Sequence, residues 1–143
     1  MEPSNKLLDV AIVGGGVAGV VALAYARRAG PDAIVLERQD RVGGLWRDLP
    51  AWQDIQISPA DWALGDLPLE GATQPHILAN IEAWVERFAL ADCIQLNAPV
   101  QRARISGATW ELVTPQGCGA RTPRRRRNGR VQHASYSLNR AHR

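Results

Sequence analysis

The hydrophobic pattern changes period several times along the chain. Leu7 to Val13 (LLDVAIV) is a short run rich in branched apolar residues, and a glycine cluster ends it. That pattern predicts a buried parallel strand. Val17 to Ala29 is alanine-rich and free of proline, which predicts a helix, and Gly30-Pro31 stops it. Ala33 to Leu36 (AIVL) predicts a second buried strand. Together these form one βαβ unit, whose crossover is expected to be right-handed.

From Arg41 to Gly71, recurring glycine and proline predict mostly loop, with Trp46, Trp52 and Trp62 inside it. Pro75 to Leu90 is an amphipathic helix: Ile77, Leu78, Ile81, Trp84, Val85 and Phe88 repeat at helical spacing, while Glu82, Glu86 and Arg87 face away. Ile94 to Leu96 and Thr109 to Thr114 predict strands, the second closed by a Pro115-Gln116-Gly117 turn. After Gly119 no helix or strand pattern persists, and the segment is expected to be unstructured.

Charge divides the chain at the same place. Its 143 residues carry 17 Lys+Arg and 14 Asp+Glu, a net of +3. Residues 1–120 hold nine bases and all 14 acids, a net of −5, whereas residues 121–143 hold eight arginines and no acid. The whole is therefore not a basic protein but an acidic body with a basic tail. The domain organisation expected is a nucleotide-binding domain over 1–120 and a basic tail over 121–143.

The isolated Cys93 and Cys118 do not suggest a disulfide framework, and with His76, His133 and His142 they make no metal-ligand spacing. The charge-free run Val10 to Ala26 holds four glycines and lacks a basic start, so neither a membrane span nor a secretory signal is expected. A cytoplasmic protein is the default.

The chemistry concentrates at Gly14, Gly16 and Gly19, a G-x-G-x-x-G with a strand before it and a helix after it. Gly14 permits the tight turn, Gly16 the approach of a pyrophosphate to the backbone, and Gly19 close helix packing. The helix N-terminus offers N–H groups and partial positive charge to the phosphates. Glu37 ends the second strand, 18 residues after Gly19. There it can accept hydrogen bonds from a ribose 2′-hydroxyl and would repel a 2′-phosphate, so NADP is not expected at this site.

From Glu37 the chain continues ERQDRVGGLWRD. With the fingerprint, this resembles the N-terminal FAD-binding region of flavin-containing and Baeyer–Villiger-type monooxygenases, through Gly43-Gly44 six residues after Glu37 and then Trp46. Weaker similarity runs on through Asp66-Leu67-Pro68, Ile77 to Leu90 and Asn97-Ala98-Pro99-Val100, covering about residues 7 to 117. The resemblance implies an α/β, Rossmann-like FAD-binding fold with a parallel sheet. It also implies that Gly14, Gly16, Val17, Ala18 and Gly19 hold the FAD pyrophosphate. Glu37 and Arg38 would lie along the adenosine, with Val100 near the adenine. Gly43, Gly44, Leu45 and Trp46 would approach the flavin side. In such enzymes NADPH reduces FAD, and the reduced flavin activates oxygen for transfer to a heteroatom or ketone of a small organic substrate.

Single residues carry plainer readings too. Trp52 and Trp62 are read as core or lid residues, Trp84 and Trp110 as core packing, His76 as solvated, and Cys93 as buried and inert. Gln56 stands near the place where flavin-containing monooxygenases commonly have asparagine, and no catalytic role is carried onto it. The family's second glycine fingerprint, for NADPH, and its strand ending in Ala-Thr-Gly do not occur in this sequence. Sixteen arginines against one lysine suggest a GC-rich gene, and the arginine-rich segment beginning near residue 118 is expected to be an out-of-frame or truncated end. The competing reading is a polybasic arm for nucleic-acid phosphates through Arg124 to Arg127, with Tyr136 as its one aromatic residue. No specific nucleic-acid or membrane partner is expected, and the sequence sets no oligomeric state. Alternatives to the monooxygenase are another FAD oxidoreductase or a non-enzymatic nucleotide-binding module.

Overall fold

The computed structural model describes residues 7–123 except 63 and 65, so the arginine-rich segment from 124 onward, with Tyr136, His133 and His142, lies outside the described residues. The chain begins with β1 (Val10–Val13), α1 (Val17–Ala29) and β2 (Ala33–Leu36), the helix and second strand falling on the residues that the sequence pattern predicts. Gly30 ends α1 by donating its N–H to the Ala26 and Arg27 carbonyls. β1 pairs β2 in parallel, with Val10 opposite Ala33 and Val13 opposite Leu36. β3 (Ile94–Gln95) joins the other side of β2, also in parallel, so the sheet order is β1-β2-β3.

Between β2 and β3 runs the long crossover. It holds a 3₁₀ turn over Gly44–Arg47, the one-turn helix α2 (Pro59–Trp62), the amphipathic α3 (Gln74–Arg87) and a second 3₁₀ turn over Ala91–Cys93. α3 buries Ile77, Ile81 and Trp84, bearing out the face read from its period. Trp62 is half-buried against this core, while Trp52 is 76% exposed and belongs to no core. Among the described residues no helix is long and apolar enough to cross a membrane.

The residues of β2 sort by strand alternation. Ala33 and Val35 join Val20, Leu23, Ile77, Ile81 and Trp84 in the core under the helices. Leu36 points the other way, into a second core with Ala98, Leu112 and Ala120. That second core is closed by an antiparallel meander of β4 (Arg102–Ser106), β5 (Thr109–Thr114) and β6 (Gly117–Pro123).

The meander corrects the sequence reading in two places. β4 and β6 are strands that no apolar pattern announced, and the ordered chain passes the expected boundary at 120. Arg121, counted with the basic tail, sits in β6 opposite Glu111, and its carbonyl accepts a hydrogen bond from the Leu8 N–H at 2.9 Å. Trp110 is 40% exposed rather than core-packed, on the β5 face shared with Ile105 of β4. Cys93 is half-buried and accepts a hydrogen bond from the Arg27 guanidinium at 2.9 Å. His76 is exposed and shares a hydrogen bond with the Thr73 hydroxyl at 2.8 Å.

Candidate functional site: a nucleotide cradle at the sheet's carboxyl edge

The ends of β1 and β2 and the start of α1 meet at one point. Gly14 leaves β1 at φ +101°, a conformation that side chains disfavour, and donates its N–H to Leu36 at 2.9 Å. Gly16 then caps α1 with no side-chain hydrogen bond, and no acid stands in the first turn. The unsatisfied N–H groups and positive dipole end of a 13-residue helix are therefore left for an anion. Gly19 fixes the angle of the helix. A Cβ there would stand 1.9 Å from the Gly14 carbonyl oxygen, so only glycine lets α1 lie this close to the turn.

A second glycine pair completes the cradle. Gly43 donates its N–H to the Gly15 carbonyl at 2.9 Å, and Gly44 turns back against Gly16. The 3₁₀ turn that follows is anchored to α3: Gln74 donates to the Trp46 carbonyl at 2.8 Å, and Arg47 pairs with Glu82 at 3.5 Å. Trp46 packs edge-on against Trp62 at 5.9 Å, within the core under the helices.

Glu37 is 3% exposed. One carboxylate oxygen accepts the Gly15 N–H and the other the Gln39 N–H at 2.8 Å. Its own backbone accepts the Ala98 N–H at 2.8 Å, and Gln39 accepts that of Asn97 at 2.9 Å, which brings the 97–100 loop to the end of β2. Glu37 thus ties the glycine turn to the third wall of the cradle, and it lines the cavity between them.

The cavity so formed measures about 260 Å³. Of the residues expected at a cofactor, Gly14, Gly16, Glu37, Arg38, Gly44, Leu45 and Val100 line it. Val17, Ala18, Gly19, Gly43 and Trp46 do not; they belong to the helix start, the turn contacts and the core. Val13, Leu36, Gln39 and Pro99 line it without having been singled out. Each neighbours a residue that was, which is the signal available for them in the sequence. Val13 at 60% exposure and Leu45 at 70% leave apolar surface open at the cradle.

Comparison with known proteins agrees with this geometry. Residues 12–63 match a family model described as an NAD(P)-binding Rossmann-like domain. A Baeyer–Villiger monooxygenase of Streptomyces coelicolor is 30% identical over 130 residues, covering 81% of this chain and 24% of that protein. A flavin-containing monooxygenase of Arabidopsis thaliana is 51% identical over 48 residues, 34% of this chain and 10% of that protein. Among solved structures, an oxidized steroid monooxygenase bound to NADP superposes with a TM-score of 0.73 at 28% identity, over 82% of this chain and 25% of that one. A flavin-containing monooxygenase from Stenotrophomonas maltophilia gives 0.67 at 26% identity, over 82% and 36%. The chain spans about a quarter of the length of the curated relatives that align over most of it. Over its Rossmann-like portion the chain is similar to the N-terminal part of flavin-containing and Baeyer–Villiger monooxygenases.

Proposed function

We propose that this chain supplies the FAD-binding part of an NAD(P)H-dependent flavoprotein monooxygenase that oxygenates a small organic substrate. The observation that carries the reading is the cradle itself: an uncapped helix end, two glycine turns in backbone contact, and a carboxylate at the end of β2, enclosing one cavity. The residues fit FAD. Helix N–H groups suit its pyrophosphate, the lone pairs of Glu37 suit a ribose diol, and the open apolar surface of Val13 and Leu45 suits a flat ring. Ligand pockets typically measure roughly 300–1,000 Å³, so a cavity of about 260 Å³ encloses part of a dinucleotide.

When bound, FAD supplies the redox and oxygen-activating chemistry. The chain's own residues bind and orient it. Glu37 disfavours a 2′-phosphate by charge, which separates FAD from NADP at this cradle. Arg38, exposed on its rim, offers a guanidinium to the adenosine half. A cradle that encloses only part of a dinucleotide is expected to retain FAD weakly in the 143-residue chain taken by itself, and with its one glycine fingerprint given to FAD that chain is expected to show no NADPH-dependent turnover.

The test is an ultraviolet–visible spectrum of the purified chain, followed by titration with FAD and with NADP. Saturable FAD binding in preference to NADP is the expected result. Binding of NADP but not FAD would overturn the assignment, and NADPH-dependent oxygen uptake by the chain alone would overturn the expected inactivity.

A further inference from the structure

We propose that the groove between α1 and α3 is a second ligand site, built for a small aromatic carboxylate. It is a cleft of about 260 Å³ lined by Ala24, Tyr25, Arg28, Asp66, Trp84 and Phe88, and it shares no residue with the nucleotide cradle.

Its walls are aromatic. Trp84 of α3 and Phe88, the residue that caps its C-terminus, have ring centroids 4.5 Å apart and planes tilted by 48°, and Tyr25 of α1 lines the cleft with them, 59% exposed. Such faces accept a flat ring by offset or edge-on contact. Its free polar groups are donors. Arg28 forms no ion pair among the described residues, and the Tyr25 hydroxyl makes no side-chain hydrogen bond there. The carboxylate at the cleft, Asp66, is already engaged by Arg87 at 2.6 Å.

A ligand matching this set brings acceptors and negative charge on a planar apolar body. The guanidinium fork fits a carboxylate bidentately. The cleft volume suits a body of one or two fused rings, and it is too small for a folded partner's side.

Calorimetric titration of the chain with benzoate, and with benzamide as its neutral twin, tests the site. Saturable benzoate binding is expected, weakened about tenfold for benzamide and about tenfold for benzoate in Arg28→Gln. Arg28 is exposed on α1, so the variant should keep the wild-type circular dichroism and FAD titration, which separates this site from the cradle. No saturable benzoate binding overturns the proposal, as does equal affinity for benzamide or an affinity untouched by Arg28→Gln.

Discussion

Gly44 lies backbone-to-backbone against Gly16: a Cβ on Gly44 would stand 2.9 Å from the Gly16 Cα, whereas one on Gly16 would meet the Gly44 Cα at 3.6 Å. The two glycines therefore differ in what they protect. Gly44 also sits at φ +54°, a left-handed conformation that costs a side chain about 1–2 kcal/mol. Gly44→Ala should destabilise the fold by about 2 kcal/mol or more. Gly16, extended at φ −74°, can take a Cβ without strain. Gly16→Ala should leave stability within about 1 kcal/mol but lower FAD affinity about tenfold or more, because its Cβ enters the cradle. Urea unfolding and FAD titration of both variants read the difference.

Gly19→Ala makes a harder prediction. Its Cβ would fall 1.9 Å from the Gly14 carbonyl oxygen, inside the turn that joins β1 to α1. Neither partner is the flexible end of a side chain, so the helix itself must move. A loss of about 3 kcal/mol or more is expected, read as loss of soluble, cooperatively unfolding protein. A variant with a wild-type urea midpoint would contradict the packing described.

These glycines explain why the βαβ unit was legible in the sequence. Strand, turn and helix each demand different residues, and Val10 to Leu36 meets every demand in order. The meander was legible only in β5. β4 reads RARIS and β6 reads GCGARTP, sequences whose strand character comes from pairing with β5 and not from their own periodicity. Arg121 looked like the first residue of a basic tail because an ion pair across a sheet has no signature along the chain. Trp46 was expected at the cofactor from its neighbourhood with Gly43-Gly44, and its ring packs edge-on against Trp62. Direction within a tight 3₁₀ turn is set by what it packs on, here α3, and no local pattern reports it.

Glu37 joins the fold and the site through the same carboxylate. Each of its oxygens accepts one backbone N–H, from Gly15 and from Gln39. Glu37→Gln keeps the shape but presents an NH₂ to one of those donors. A buried donor left without an acceptor costs about 1–3 kcal/mol, so the variant should unfold at lower urea and bind FAD more weakly. A variant matching wild type in urea midpoint would show that these two bonds do not hold the cradle.

Acid should act on the meander through Glu111. Its buried carboxylate lies between Arg104 at 2.9 Å and Arg121 at 3.0 Å. The hydrogen bond from Arg104, reinforced by the charges of Arg121 and Arg104, holds its carboxyl below the usual carboxylate range against the opposing effect of burial. A depressed value in the folded state means that the unfolded chain binds the proton more readily. The contribution to stability is therefore present above the unfolded value of about 4.3 and is lost as pH falls through the lower folded value. Urea midpoints measured from pH 7 down to pH 3 should fall in the wild type on the acid side of that value. In Glu111→Gln they should start lower at pH 7 and change less over the same range, because the titrating partner of the two arginines is gone. Parallel acid limbs for the two proteins would mean that this ion-paired carboxylate does not contribute to the pH dependence of the fold.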